Sequence, residues 1–264
     1  MNAFDTWINN PLVQSAVISP LVGAILGLLF AGFNKAPSPA APATVQQTVI
    51  IFKQTIVVNQ RRGTSSSEDG WVYIGGAFMV MALVIWGYSR YASDILHYWL
   101  SGVFSCMAFI LAAGLVSVIR GQYNTPEWGW YIFTPLVAVG SSIYLIDLAQ
   151  AGIIAGAREA AFRYGFIEFY LQRLEDEHRF WILTQLFGVV MGIGTTLVAS
   201  FRSLHYLSLM NQRASGTLSS VWFSLARYTR FSAQGRGVVL LLILLSVSYF
   251  MVSGLAYELW QRRD

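Results

Sequence analysis

Small residues recur at every fourth position inside two uncharged apolar runs, and this pattern constrains the fold more than any other feature. In water such stripes would weaken a helix, because Gly loses more backbone entropy on folding than other residues. In lipid, helices associate through close van der Waals packing, which small side chains permit. We therefore expect membrane helices in close contact, either within one chain or between subunits, where a stripe would also line a pore. The stripes comprise Ser15, Ser19, Gly23, Gly27 and Ala31, and then Thr184, Gly188, Gly192, Thr196 and Ser200.

The composition agrees with a membrane location. Only 11% of the residues are charged and the mean hydropathy is +0.53, whereas a soluble domain is about 25% charged. The net charge of +4 is small, and the Lys and Arg residues are scattered along the sequence, so a nucleic-acid-binding domain is not favoured. The single cysteine, Cys106, excludes an intramolecular disulfide. No Lys or Arg precedes residue 35, so the first apolar run is expected to be a retained span rather than a signal peptide.

Six apolar runs approach or exceed the roughly 20 residues that a helix needs to cross a bilayer. Trp and Tyr lie at many of their ends, as they do at membrane–water interfaces. The predicted class is an all-α polytopic membrane protein with about six transmembrane helices and a small extramembrane β segment. The predicted spans are Pro11–Phe33, Trp71–Tyr88, Tyr98–Ile119, Tyr131–Gly156, Phe180–Ser200 and Val238–Leu259.

The segments between these runs complete the predicted organisation. Residues 34–70 hold a Pro/Ala hinge, the β segment and a Ser-rich linker. The other divisions are 1–33 for the first helix, 71–156 for helices two to four, 157–179 for an amphipathic charged helix, 180–200 for helix five, 201–237 for a basic aromatic loop, and 238–264 for the last helix and tail.

The β segment covers residues 44–60, where ten of seventeen residues are Thr, Val or Ile. These residues favour extended backbone. A lone strand leaves its N–H and C=O groups unpaired and is marginally stable. We expect identical strands from neighbouring subunits to pair outside the bilayer, with a short strand docked on the membrane surface as the alternative.

Two further segments have amphipathic patterns. Glu159 and Arg163 stand four apart in the 157–179 helix, which would lie on the membrane surface or extend the fourth span as a stalk. In the 201–237 loop, aromatic residues alternate with arginines, which favours an interfacial helix on anionic lipid. The alternative is an anionic ligand, a nucleotide or short nucleic acid, bound by Arg and stacked on aromatic rings. The candidate residues for these contacts are Arg61, Arg62, Arg227, Arg230 and Arg236.

Asp147 is the one acidic residue near the middle of a predicted span. A carboxylate in hydrocarbon costs about 2.5–3.5 kcal/mol on insertion scales, so it must face protein or water. Ser141, Tyr144, Asp147 and Gln150 are spaced by three, which predicts one broad polar face that could line a cation-selective path. Thr184 and Gln185 in the fifth span are further pore-lining candidates. Otherwise Asp147 is satisfied by a neighbouring helix or lies near an interface.

The sequence contains no catalytic or cofactor-binding motif. Its three histidines, His97, His178 and His205, fall in different predicted loops without metal-ligand spacing. We therefore expect a protein that is not an enzyme and that binds neither a cofactor nor a metal.

The order of these features resembles membrane subunits of bacterial two-gene anti-phage defence systems. The resemblance is carried by the first span with its small stripe (SAVISPLVGAILGLLFAG), by TVIIFKQTIVVNQRR and by the Ser-rich linker. Among these it looks most like the channel subunit of the Hailong type, or the membrane subunit of Kiwa. It implies an oligomeric multi-pass effector of the bacterial inner membrane that a ligand holds in check. It is a resemblance of architecture, so no functional residue is carried over.

Together these observations predict a homo-oligomeric, ligand-gated membrane channel whose partners are the bilayer and other copies of itself. The first alternative is a non-conducting scaffold or sensor that recruits a cytosolic partner protein through its loops. The second alternative is a small secondary transporter, although the inverted repeats and paired broken helices of that class are not evident.

Overall fold

The structure, a computed structural model, describes Val13 and residues 17–32, 69–119, 121, 126–211 and 219–262, and these residues are helical apart from short turns. No strand occurs among them, and the predicted β segment lies outside them. In chain order the elements are α1 (Ser19–Gly32), α2 (Asp69–Ile119), α3 (Pro126–Ala151), α4 (Ala157–Arg163), α5 (Phe166–Glu168), a π-helical turn (Phe169–Arg173), α6 (Asp176–Asn211), α7 (Ser219–Tyr228), a 3-10 turn (Thr229–Ser232), α8 (Gln234–Val252) and α9 (Leu255–Gln261).

The described residues are in helices and short turns, which confirms the all-α class of the prediction for this part of the chain. Four of these helices are long and apolar enough to cross a membrane. The helix α1 contains a shorter apolar stretch, Ser19–Leu28, inside the predicted first span. The four candidate spans are Gly75–Ile119, Trp128–Ala151, Asp176–Asn211 and Gly235–Val252.

The helices α2, α3, α6 and α8 pack together into a bundle with two distinct ends. At one end, called the Arg202 end, the Arg202 side chain meets Tyr131 of α3 and Ser232 before α8. At the other end, called the Gly152 end, the Trp181 indole of α6 donates a hydrogen bond to the Gly152 carbonyl at 2.8 Å. Helix α6 is the most enclosed of the four, and α8 lies at the periphery.

The predicted second and third spans lie in one continuous helix, which corrects the prediction of two separate crossings. Helix α2 has 51 residues and is therefore about 76 Å long. The sequence SRYASDILH between the two runs contains neither Gly nor Pro, so nothing breaks the helix. Its charges are accommodated at the surface: the Arg90 guanidinium lies 4.4 Å from the centre of the Phe162 ring, and Asp94 pairs with Arg158 at 3.7 Å.

The predicted amphipathic helix 157–179 is broken into short pieces that fold against α2. Gly165 separates α4 from α5, and the π-helical turn follows directly. The Trp86 indole donates to the Ala161 carbonyl at 2.9 Å, and the Phe78 ring meets the Tyr170 ring edge-on at 5.2 Å. This segment therefore covers the first half of α2 beyond the Gly152 end instead of forming a free stalk.

The predicted loop 201–237 is mostly helical. Helix α6 continues past Ser200 to Asn211, because Leu204, Leu207 and Met210 extend the packed face at helical spacing. After the connection, α7 and the 3-10 turn run back along α6, since Thr229 lies beside His205 and Ser232 beside Arg202.

The predicted sixth span, 238–259, also differs at its C-terminal end. Helix α8 stops at Val252 and α9 begins at Leu255. Between them Gly254 has φ 87°, a left-handed conformation that glycine adopts without steric cost. A methyl group on Gly254 would also stand 3.0 Å from the Trp181 ring, so a side chain at this position would meet backbone strain and a tight contact.

The small-residue stripes lie at close helix contacts within the chain. A methyl group on Gly23 would overlap the Ser105 carbonyl, and one on Gly27 would stand 2.8 Å from the Ala112 methyl. In the second stripe, a methyl on Gly188 would lie 3.0 Å from Met251 Cβ, and one on Gly192 would overlap the Trp99 ring. Ser19 and Ala31 belong to α1, whereas Ser15 lies outside the described residues.

Candidate functional site

The outer face of α3 carries four polar side chains, here called the α3 polar face: Ser141, Tyr144, Asp147 and Gln150. All four are exposed in the single chain, and Tyr144 is 57% exposed. The opposite side of α3, which includes Ser142, Leu145 and Ala149, is buried against the other helices. The structure thus places the four residues together on a surface that the chain itself leaves uncovered.

Asp147 lies inside the candidate span Trp128–Ala151, about one turn before the helix ends. It forms no ion pair and no side-chain hydrogen bond with another described residue. The Ser141 hydroxyl, in contrast, donates to the Val137 carbonyl of its own helix at 2.9 Å. Asp147 is therefore the one charged side chain of this span, and packing within a single chain leaves it exposed.

Thr184 and Gln185, the other predicted pore-lining residues, are not on this face. Both are buried at the Gly152 end. The Thr184 hydroxyl donates to the Trp181 carbonyl at 2.8 Å, and the Gln185 amide donates to the Val252 carbonyl at 2.9 Å. Gln185 therefore ties α6 to the end of α8, where α8 gives way to the turn before α9.

Thr196 and Ser200 of the second stripe also make polar contacts inside the bundle. The Trp99 indole donates to the Thr196 hydroxyl at 3.0 Å. The Ser200 hydroxyl lies 3.0 Å from the Cys106 sulfur. These bonds join α2 to α6 near the middle of the bundle, beside the close approach at Gly192.

A buried polar cluster at the Arg202 end is the feature that sequence reasoning missed. Arg202 is only 1% exposed. Its guanidinium donates to the Ser232 carbonyl at 2.9 Å and lies 4.6 Å from the centre of the Tyr131 ring, which in turn stacks on Tyr206 at 5.5 Å. A methyl group on Gly237 would stand 2.7 Å from the guanidinium nitrogen, so the glycine leaves room for α8 to pass.

His205 extends the same cluster toward the 3-10 turn. Its Nδ1 lies 3.0 Å from the Thr229 hydroxyl, and that hydroxyl donates to the Leu225 carbonyl at 2.7 Å. Because the hydroxyl proton is used for Leu225, the geometry assigns the donated hydrogen to His205 Nδ1. His205 and Arg202 thus hold two successive turns of the returning segment against α6.

The signal that could have located this cluster is the apolar spacing beyond Ser200. Hydropathy alone ends the span there, because Arg202 and His205 lower the average. The spacing of Leu204, Leu207 and Met210 indicates that the helix continues with one face packed. An arginine on a packed helix must be matched by carbonyls or rings, which come here from α3 and from the turn before α8.

The predicted lipid- or ligand-binding arginines fall into two groups. Arg227 and Arg230 are exposed on α7 and the 3-10 turn, and Arg236 is exposed in the first turn of α8, all at the Arg202 end. Arg61 and Arg62 lie outside the described residues. No group of three or more His, Cys, Asp or Glu side chains able to hold a metal ion occurs within the described ranges.

No protein-family model, curated protein or solved structure matches this chain.

Proposed function

We propose that this protein assembles as a homo-oligomer in a membrane and forms a cation-selective channel lined by the α3 polar face. The observation that carries the proposal is Asp147, an exposed carboxylate inside a candidate span that has neither an ion-pair partner nor a side-chain hydrogen bond among the described residues. A carboxylate against lipid costs about 2.5–3.5 kcal/mol at the centre of a span and less near its end, where Asp147 lies. A water-filled path between copies of the chain would remove that cost.

The neighbouring side chains favour the same arrangement. Ser141, Tyr144 and Gln150 present hydroxyl and amide groups on the same uncovered side of α3 as the Asp147 carboxylate. The exposed surface of α8 is mostly apolar from residue 237 onward and includes Val239, Leu242 and Ile243, which suit contact with lipid. An oligomer would therefore turn α3 inward and α8 outward.

Single-cysteine cross-linking tests the assembly. In a Cys106→Ser background, Tyr144→Cys should form disulfide-linked dimers when membranes are oxidised, because the proposal places this position between subunits. Leu242→Cys, 59% exposed on α8, is the matched control and should stay monomeric. Equal cross-linking of the two variants, or no cross-linking of Tyr144→Cys, would refute an oligomer in which α3 faces inward and α8 faces outward.

Ion flux tests the conduction. Purified protein in liposomes should carry K⁺ in preference to Cl⁻, measured as a reversal potential under a KCl gradient. A carboxylate about 4 Å from a cation in water contributes about 1 kcal/mol, so Asp147→Asn should lower the preference about fivefold per charge removed. Glu258→Gln removes an exposed carboxylate outside the spans and should change little. Cross-linking without flux would favour the non-conducting scaffold.

The proposed biological role rests on the resemblance to membrane subunits of anti-phage defence systems. In that role the channel would be an inner-membrane effector of such a system. A partner or ligand would keep it closed until infection.

A further inference from the structure

The segment Ser219–Ser232, here called the α7 arm, has one face packed on α6 and one face uncovered. The packed face comprises Trp222, Ala226, Thr229 and Ser232, which are all buried and spaced by three or four. The bonds from His205 and Arg202 fix this face in position. The arm is therefore a rigid ledge at the Arg202 end, and its outer face has a defined orientation.

The outer face combines aromatic and basic side chains. Phe223 is 64% exposed, Tyr228 80% and Phe231 50%. Arg227 and Arg230 stand exposed between them. Neither arginine takes part in an ion pair with a described residue, and the sequence has no Asp or Glu from residue 178 to residue 257.

The aromatic part of this face continues the outer surface of the bundle. The Phe231 ring meets the Phe201 ring edge-on at 5.7 Å. Phe201 and Leu197 are exposed on the outer side of α6, inside a candidate span. The rings of the arm thus continue an exposed apolar surface of the bundle, and the exposed arginines stand directly beside that surface.

We infer that the outer face of the α7 arm is a binding surface for anionic phospholipid headgroups. Arg227 and Arg230 would contact the phosphates, and the aromatic rings would lie at the boundary between headgroups and acyl chains. A soluble polyanion would use the same arginines, but it would leave the exposed rings beside Phe201 without an apolar partner. The surface therefore fits a bilayer better than a free anion, and this inference does not depend on the proposed conduction.

Native mass spectrometry of the full-length protein in detergent tests the inference. Phosphatidylglycerol and phosphatidylcholine are added at equal concentration, and the retained lipids are counted. The wild-type protein should retain the anionic lipid preferentially. An exposed ion pair is worth up to about 1 kcal/mol, or about fivefold in affinity, so Arg227→Gln with Arg230→Gln should weaken phosphatidylglycerol retention by up to about 25-fold.

The matched control changes two exposed arginines at the opposite end of the bundle. Arg163→Gln with Arg262→Gln removes the same charge, and neither of these arginines is in an ion pair with a described residue. This control should leave the lipid preference intact, while both double variants keep the wild-type melting temperature. Equal loss in the two variants, or no lipid preference in the wild type, would overturn the inference. Displacement of phosphatidylglycerol by equimolar tripolyphosphate would also overturn it and identify a soluble-anion site.

Discussion

A pair of glycines on α6 allows the packing argument to be tested with an internal control. Gly192 and Gly194 lie two residues apart in the same helix. A methyl group on Gly192 would overlap the Trp99 ring and stand 3.1 Å from the Ser248 hydroxyl, whereas the nearest atom to a methyl on Gly194 is a Leu244 methyl at 3.9 Å. Gly→Ala at each position therefore makes the same chemical change in a crowded site and in an open one.

The expected difference between the two variants follows from these contacts. Replacing a helical Gly with Ala favours the helix by up to about 1 kcal/mol, and this gain is common to both, so it cancels in the comparison. Gly192→Ala must also displace the Trp99 ring, and overpacking of this kind costs about 1–3 kcal/mol. Loss of the indole hydrogen bond to Thr196 adds about 0.6 kcal/mol, the average for such bonds in membranes. We expect Gly192→Ala to be less stable than Gly194→Ala by about 2–4 kcal/mol.

The free energy of unfolding can be measured by titrating sodium dodecyl sulfate into mixed micelles and following helix content by circular dichroism. The summed emission of the nine tryptophans should shift in Gly192→Ala and not in Gly194→Ala, since the Trp99 indole loses its partner only in the first variant. If the two variants unfold within 0.5 kcal/mol of each other, the close contact at Gly192 is refuted. If the difference depends on protein concentration, the stripe packs between subunits rather than within one chain.

Two further predictions concern the charged contacts. Arg202→Lys keeps the charge but loses the planar group over Tyr131 and the fixed donor to Ser232. We therefore expect the free energy of unfolding to fall by about 2 kcal/mol in the same titration. An unchanged midpoint would contradict the role of the Tyr131 ring. Asp94→Asn breaks the 3.7 Å pair with Arg158, in which both side chains are 51% exposed. Because the pair is open to water, the free energy of unfolding should fall by less than about 1 kcal/mol. A loss above 2 kcal/mol would show that this pair is shielded from water.

Short-range patterns predicted the parts of the fold that depend on local chemistry. Long uncharged apolar runs indicated membrane helices, and four such helices occur in the described residues. The spacing of Ser141, Tyr144 and Asp147 likewise predicted a shared face, because a helix places residues three apart on neighbouring positions. That all of them are exposed could not be predicted, since exposure depends on where α2, α6 and α8 lie.

The boundaries of the helices were predicted less well. Charges at Arg90 and Asp94 made the middle of α2 look like a loop. In the structure they contact Phe162 and Arg158, which lie 72 and 64 residues later in the chain. A charged residue lowers the hydropathy average of its segment, whatever surrounds that residue in the folded chain. It cannot register rings and counter-charges that arrive from elsewhere in the chain.

By itself the sequence determined that this protein has helices suited to a membrane, because the free energy of placing side chains in lipid is nearly additive along the chain. It also supplied the small residues that permit close approach. Only the tertiary structure decided which helices use them and that Arg202 is enclosed while Asp147 faces outward. The physical reason is that satisfying a charge is not additive: it depends on a carbonyl, a ring or a space that distant residues bring to it.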